Sequence, residues 1–131
     1  IRVGSRISLF DTGSGHVLLA FRTKEEREMM IAENLGSSGD QAKVTPEFMA
    51  RLDQIRSRGY EMMPSAQTAG VINLSAPVLG ADGKVIASLT VPYITLINTP
   101  GAPDITNSIQ LLLETTRKLS EMTGSDFKAE G

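Results

Sequence analysis

The sequence predicts an α+β domain with helices packed outside an antiparallel sheet. Three observations predict it. Apolar residues recur at helical spacing between Gly15 and Gly59 and again after Asp104. Between Gly70 and Pro92 the period switches to strict alternation, the signature of half-buried strands. The helical stretches also open on capping residues and close on glycines.

Composition bounds the function. With 131 residues, 40% apolar and 21% charged, the chain is expected to fold as one ordinary globular domain with a real core. Net charge is −2 and the basic residues are scattered, so the stripe needed to bind a phosphate backbone is missing. Any action on nucleic acid must come from a part outside this chain. Zero Cys and one His exclude disulfides, thiolate chemistry and multi-ligand Cys or His metal sites, and no cofactor is expected. No apolar run reaches the length of a membrane span and no signal peptide opens the chain, so a cytoplasmic placement without membrane contact is expected. The first residue is not Met and lies inside an apparent strand, as expected for a domain fragment.

In chain order, Ile1 to Leu9 reads as a strand, with Gly4-Ser5 as a bulge or turn. Asp11 or Thr12 offers an N-cap oxygen to a helix running through Gly15 to Phe21. Thr23 followed three residues later by Glu26 is a capping box that starts a second helix, with Gly36 as its C-terminal stop. Glu25, Glu26, Arg27 and Glu28 read as a solvated helix start. Gly36 to Asp40 is a loop by composition. Thr45-Pro46 opens a third helix, whose apolar face is Phe48, Leu52 and Ile55 and whose end is Arg58-Gly59. Tyr60 to Met63 is short and extended, stopped by Pro64.

Ile72, Leu74, Ala76 and Val78 then alternate with Val71, Asn73, Ser75 and Pro77. Across the turn Gly80-Ala81-Asp82-Gly83, Val85, Ala87, Leu89 and Val91 alternate with Ile86, Ser88, Thr90 and Pro92, which predicts a hairpin. Its apolar face must lie on the core. The other face, carrying Asn73, Ser75, Ser88 and Thr90, is either half-solvated or the floor of a ligand cavity. Asp104 caps a last helix with Ile105, Ile109, Leu112, Leu113 and Leu119 on its buried side and Gly124 at its end. Residues 125–131 read as a flexible tail.

Two chemistries compete for Asp11-Thr12-Gly13-Ser14. It matches the catalytic tetrad of an aspartic protease, which would homodimerise to bring two carboxylates together. That fold is nearly all strand, and the helical signals here oppose it. A serine-hydrolase elbow fails because Thr12 stands where its first Gly belongs. His16 reads as a partly exposed helix residue. The methionines read as core filler, with Met62-Met63 also placed to line a pocket. What survives is the helix start Gly13-Ser14-Gly15. Its backbone N–H groups and positive dipole end suit a carboxylate, or else form a plain cap with small residues for packing.

Four blocks carry a resemblance. They are Val3-Gly4-Ser5-Arg6 through Gly13-Ser14-Gly15-His16-Val17-Leu18-Leu19-Ala20-Phe21, then Ile55 to Tyr60, then Gly70 to Val78, then Gly83 to Val91. In that order and spacing the chain resembles the effector-binding domain of IclR-type bacterial transcription regulators, from about Ile1 to Gly124. The resemblance implies a GAF-like domain over residues 1–124 with a curved antiparallel sheet, shortened at its N-terminal side. It implies no enzymatic activity, a homodimer or tetramer, and DNA contact only through a winged helix-turn-helix domain absent from this chain. It carries ligand contacts to Ile7, Gly13, Ser14, Met63, Val71, Asn73, Thr90 and Pro92. Gly13 and Ser14 would donate to an effector carboxylate, Asn73 and Thr90 would hydrogen-bond from facing strands, and Ile7, Met63 and Val71 would form the apolar wall. Members that bind small oxo-acids carry an acidic residue where Met63 stands and a hydroxyl where Pro92 stands. Here a larger or more aromatic carboxylate is expected, since both changes remove polarity and Pro92 has no backbone N–H. A non-transcriptional sensor of the same fold is the alternative reading.

Overall fold

The structure, a computed structural model, describes residues 8–35, 40–65, 67–94, 101 and 104–124. In chain order they form α1 (Gly13–Ala20), α2 (Lys24–Asn34), a 3-10 turn (Asp40–Lys43), α3 (Pro46–Arg58), β1 (Glu61–Pro64), β2 (Val71–Leu79), β3 (Val85–Ile94) and α4 (Ile105–Met122). The strands form an antiparallel sheet in the order β1-β2-β3. The α+β class is as predicted.

Local chemistry accounts for the helix starts. Thr12, Thr23, Thr45 and Asp104 each sit in extended conformation and accept a backbone N–H from three residues on. At α3, Thr45 accepts from Phe48 N, Pro46 fills the first helical position, and Gly59 closes the helix at φ 97°, where a Cβ would be strained. Thr45→Ala should therefore cost about 1 kcal/mol, read as a lower urea midpoint with unchanged slope.

The predicted opening strand is only partly testable, because Ile1–Ile7 lie outside the described residues. Ser8 to Thr12 is a turn instead of a strand end. Ser8 Oγ accepts the N–H groups of Phe10 and Asp11, and Thr12 Oγ1 donates to Ser8 O at 2.6 Å. These side-chain bonds take the backbone groups that a ladder would need. The expected stop at Gly36 and the tail at 125–131 also fall outside the described residues; α2 ends at Asn34 with Leu35 as its cap.

Alternation on the hairpin puts its two residue sets on opposite faces of the sheet. Ile72, Leu74 and Ala76 of β2 and Leu89, Val91 and Tyr93 of β3 pack with Ile105, Ile109, Leu112 and Leu113 of α4. Two buried α4 residues that the apolar pattern did not mark, Thr116 and Ser120, have polar work. Ser120 Oγ accepts Leu79 N at 2.9 Å where the β2–β3 register shifts, and donates to Thr116 O. The opposite sheet face meets α1. A second core joins α1, α2 and α3 through Val17, Leu19, Ala20, Ile31, Leu52 and Ile55.

Arg27 departs from its expected solvated role. It is buried, donates from Nε and Nη2 to the C-terminal carbonyls of α1 at Leu19 and Ala20, and reaches Asp53 of α3 at 3.2 Å. A guanidinium at a helix C-terminus satisfies orphan carbonyls and opposes the negative dipole end. This single side chain ties three helices.

Candidate functional site

The start of α1 lies on the β2–β3 face that carries the small polar residues. Ser14 Oγ is 2.6 Å from Thr90 Oγ1, which is 2.7 Å from Ser75 Oγ. Ser75 and Thr90 are direct cross-strand partners, in one transverse row with Glu61 of β1. The adjacent row is Met63, Asn73 and Pro92, and Val71 pairs with Ile94 in the row beyond. Of the residues named from the resemblance, Gly13, Ser14, Met63, Val71, Asn73, Thr90 and Pro92 thus share one face of the sheet and the helix start above it. Ile7 lies outside the described residues.

At the helix start, Thr12 Oγ1 accepts Gly15 N at 3.0 Å and Thr12 O accepts His16 N. The N–H groups of Gly13 and Ser14 keep no partner among the described residues. Gly13 faces the sheet closely: a Cβ there would stand 3.0 Å from Ser75 Oγ and 3.6 Å from Glu61 Cγ. Gly15 does something else. A Cβ on it would lie 2.5 Å from Leu9 Cα and 2.6 Å from Leu9 O, so it seats the preceding turn against α1. It belongs to packing, not to the anion cradle.

Beneath the helix start is a charge cluster that the sequence pattern did not reveal. Glu61 is fully buried. Its carboxylate accepts from His16 Nδ1 at 2.8 Å, Arg51 Nε at 2.7 Å, Arg58 Nη2 at 3.0 Å and Met62 N at 2.8 Å. Burial alone would raise its pKa, but the hydrogen bonds from His16, Arg51 and Met62 outweigh burial and bring it from 4.5 down to about 2.

His16 is correspondingly not the partly exposed residue expected. It is 3% exposed, stands edge-on to Phe48 at 5.3 Å, and places Nε2 2.7 Å from Phe10 O. Both of its partners, a carboxylate and a carbonyl, only accept, so both bonds form only with a proton on each ring nitrogen. One signal was available in the sequence. His16 stands directly before Val17-Leu18-Leu19-Ala20-Phe21 and Glu61 directly before Met62-Met63, and ionisable groups drawn into a core beside such apolar residues need partners.

Asp11 is exposed, 2.6 Å from Lys43 Nζ, and accepts from Ser8 Oγ. The hydrogen bond from Lys43 holds its carboxyl below the usual range. It sits in a surface ion pair with Lys43. Among the described residues no group of three His, Asp or Glu side chains could hold a metal ion, and no helix is long and apolar enough to cross a membrane.

This fold, with a helix start poised over a polar sheet face, is that of the effector domains of bacterial transcription regulators. The family described as bacterial transcriptional regulator IclR C-terminal matches residues 1–121. The chain belongs to this family and is its C-terminal, effector-binding domain. It is 33% identical over 97 residues to the HTH-type transcriptional regulator KdgR of Escherichia coli, covering 72% of this chain and 37% of that protein. It therefore spans little more than a third of that relative's length. The crystal structure of Pseudomonas aeruginosa HmgR superposes with a TM-score of 0.72 at 30% identity, covering 98% of this chain and 50% of that one. The inducer-binding domain of Acinetobacter PobR, a double mutant solved with 3-hydroxybenzoic acid, gives a TM-score of 0.66 at 28% identity over 92% of this chain and 70% of that one. Its named relatives are transcription regulators, not enzymes, which removes the protease reading of Asp11.

Proposed function

We propose that residues 1–124 bind a small organic carboxylate, and that binding modulates DNA recognition by a winged helix-turn-helix domain outside this chain. The observation that carries the reading is the convergence of two donor sets. The N–H groups of Gly13 and Ser14, which have no partner among the described residues, stand beside the Ser14–Thr90 hydroxyl pair and the row of Met63, Asn73 and Pro92. A helix N-terminus over a face with few polar groups suits an anion attached to an apolar body. In this assignment Gly13 and Ser14 hold the carboxylate, Asn73 and Thr90 orient it, and Ile7, Met63, Val71 and Pro92 contact the rest of the ligand.

Met63 and Pro92 contribute no charge and no hydroxyl where oxo-acid binders of the family have them, which favours a larger, aromatic acid. The PobR inducer domain, solved with 3-hydroxybenzoic acid, supports that class. Regulation then follows from linkage: the acid shifts the full-length regulator, a homodimer or tetramer, only through unequal affinity for its DNA-competent and DNA-incompetent arrangements.

A thermal-shift screen of benzoate, 3-hydroxybenzoate, pyruvate and glyoxylate tests the proposal. At concentrations of 100 to 1,000 times Kd, a true effector stabilises the domain by roughly 2–4 kcal/mol. The aromatic acids are expected to raise Tm by several degrees and the oxo-acids much less. The reverse ranking sinks the aromatic assignment, and no shift with any carboxylate sinks the site.

A further inference from the structure

We infer that Ser75, which is buried beneath the site, sets its preference for an ionised carboxylate by orienting the hydroxyl protons of Thr90 and Ser14. The inference rests on the effector reading above. Ser75 is fully buried, and among the described residues its Oγ has one hydrogen-bond partner, Thr90 Oγ1 at 2.7 Å. Thr90 Oγ1 in turn meets Ser14 Oγ at 2.6 Å.

Each hydroxyl has one proton to donate. Three hydroxyls joined by two hydrogen bonds leave one proton over. If the bonds ran inward from Ser14, the spare proton would be that of Ser75, buried and without an acceptor among the described residues, which is costly. In both remaining arrangements Ser75 donates to Thr90. Thr90 then either donates to Ser14 or accepts from it as well, and the spare proton is that of Ser14 or of Thr90, both half-buried at the site.

The site then offers a spare hydroxyl proton, on Ser14 or Thr90, beside the N–H groups of Gly13 and Ser14. A carboxylate accepts all of them. A carboxamide of the same shape brings an NH2 that opposes them. Glu61, buried beneath the helix start, has its charge held by His16, Arg51 and Arg58, and Asp11 is paired with Lys43. Ser75 is therefore a positioning residue that touches no ligand.

Calorimetric titration of the 131-residue chain with 3-hydroxybenzoate and 3-hydroxybenzamide tests this. Wild type should prefer the acid by about tenfold or more, since charge-assisted hydrogen bonds are roughly twice as strong as neutral ones. Ser75→Ala should weaken acid binding several-fold while leaving amide binding nearly unchanged, so that the preference collapses, and Thr90→Val, which also removes a ligand contact, should lower the acid-to-amide ratio. Thr90→Ser, which keeps the hydroxyl, should retain it. A merely structural Ser75 would weaken both probes together, and an unchanged acid-to-amide ratio in Ser75→Ala overturns the inference while leaving the effector site standing. If Ser75→Ala does not fold, the Thr90→Val and Thr90→Ser pair decides by the same ratio. Failure of both probes to bind wild type overturns the aromatic-carboxylate reading and this inference with it.

Discussion

Glu61→Gln is expected to destabilise the domain by about 3 kcal/mol at neutral pH, the scale of breaking a buried ion pair by removing one partner. The substitution keeps the shape of the side chain and removes its charge. His16, 3% exposed, would then keep its bond to Phe10 O but lose the carboxylate opposite. Arg51 and Arg58 are more than a third exposed and can turn to water, so most of the loss falls on the His16 side. Urea unfolding followed by far-UV circular dichroism should show a lower midpoint with an unchanged slope.

The same group gives the domain an acid-sensitive component of stability. The Glu61 carboxyl titrates at about 2 in the folded protein against an ordinary 4.5, so its contribution is complete above pH 5 and is lost as pH falls towards 2. At 1.36 kcal/mol per pH unit, that displacement corresponds to about 3 kcal/mol. Wild type should lose this amount between pH 5 and 2, whereas Glu61→Gln should not. A difference between the two proteins that stays constant across that window would remove Glu61 as the source.

Gly15→Ala is expected to destabilise by about 2–3 kcal/mol, the cost of inserting a methyl where there is no room. Helix propensity alone gives the opposite sign, since Ala is favoured over Gly by about 1 kcal/mol within a helix. Contact distance decides between them. The new Cβ would stand 2.5 Å from Leu9 Cα, 2.6 Å from Leu9 O and 2.7 Å from Ser8 O, all backbone atoms of the turn that Ser8 holds together. Gly13→Ala is the comparison. Its nearest neighbour is the Ser75 hydroxyl at 3.0 Å, which can move by a few tenths of an ångström, so stability should change less. Thermal unfolding of the two variants separates packing from propensity, and a stabilised Gly15→Ala would refute the close approach of the turn to α1.

The sequence by itself determined the elements and their faces. Thr23, Thr45 and Asp104 cap helices because an N-cap hydrogen bond spans three residues, and Gly59 ends α3 because of its own backbone freedom. The hairpin was legible because alternation repeats every two residues, and its register follows from burying one face. The resemblance carried by the four blocks in their order and spacing named the family.

Tertiary structure decided what those elements do to one another. Ser14 meets Thr90 across 76 residues and His16 meets Glu61 across 45, and no local rule carries such pairings. They depend on where α1 lands on the sheet. The same physics split the Gly13-Ser14-Gly15 stretch, which looks uniform as a string of small residues. Gly13 and Ser14 face the polar sheet, whereas Gly15 faces the backbone of Leu9, because successive helix positions turn by about 100°. Capping and periodicity are short-range and can be read in a chain; the partner of a buried charge is fixed only when distant segments pack.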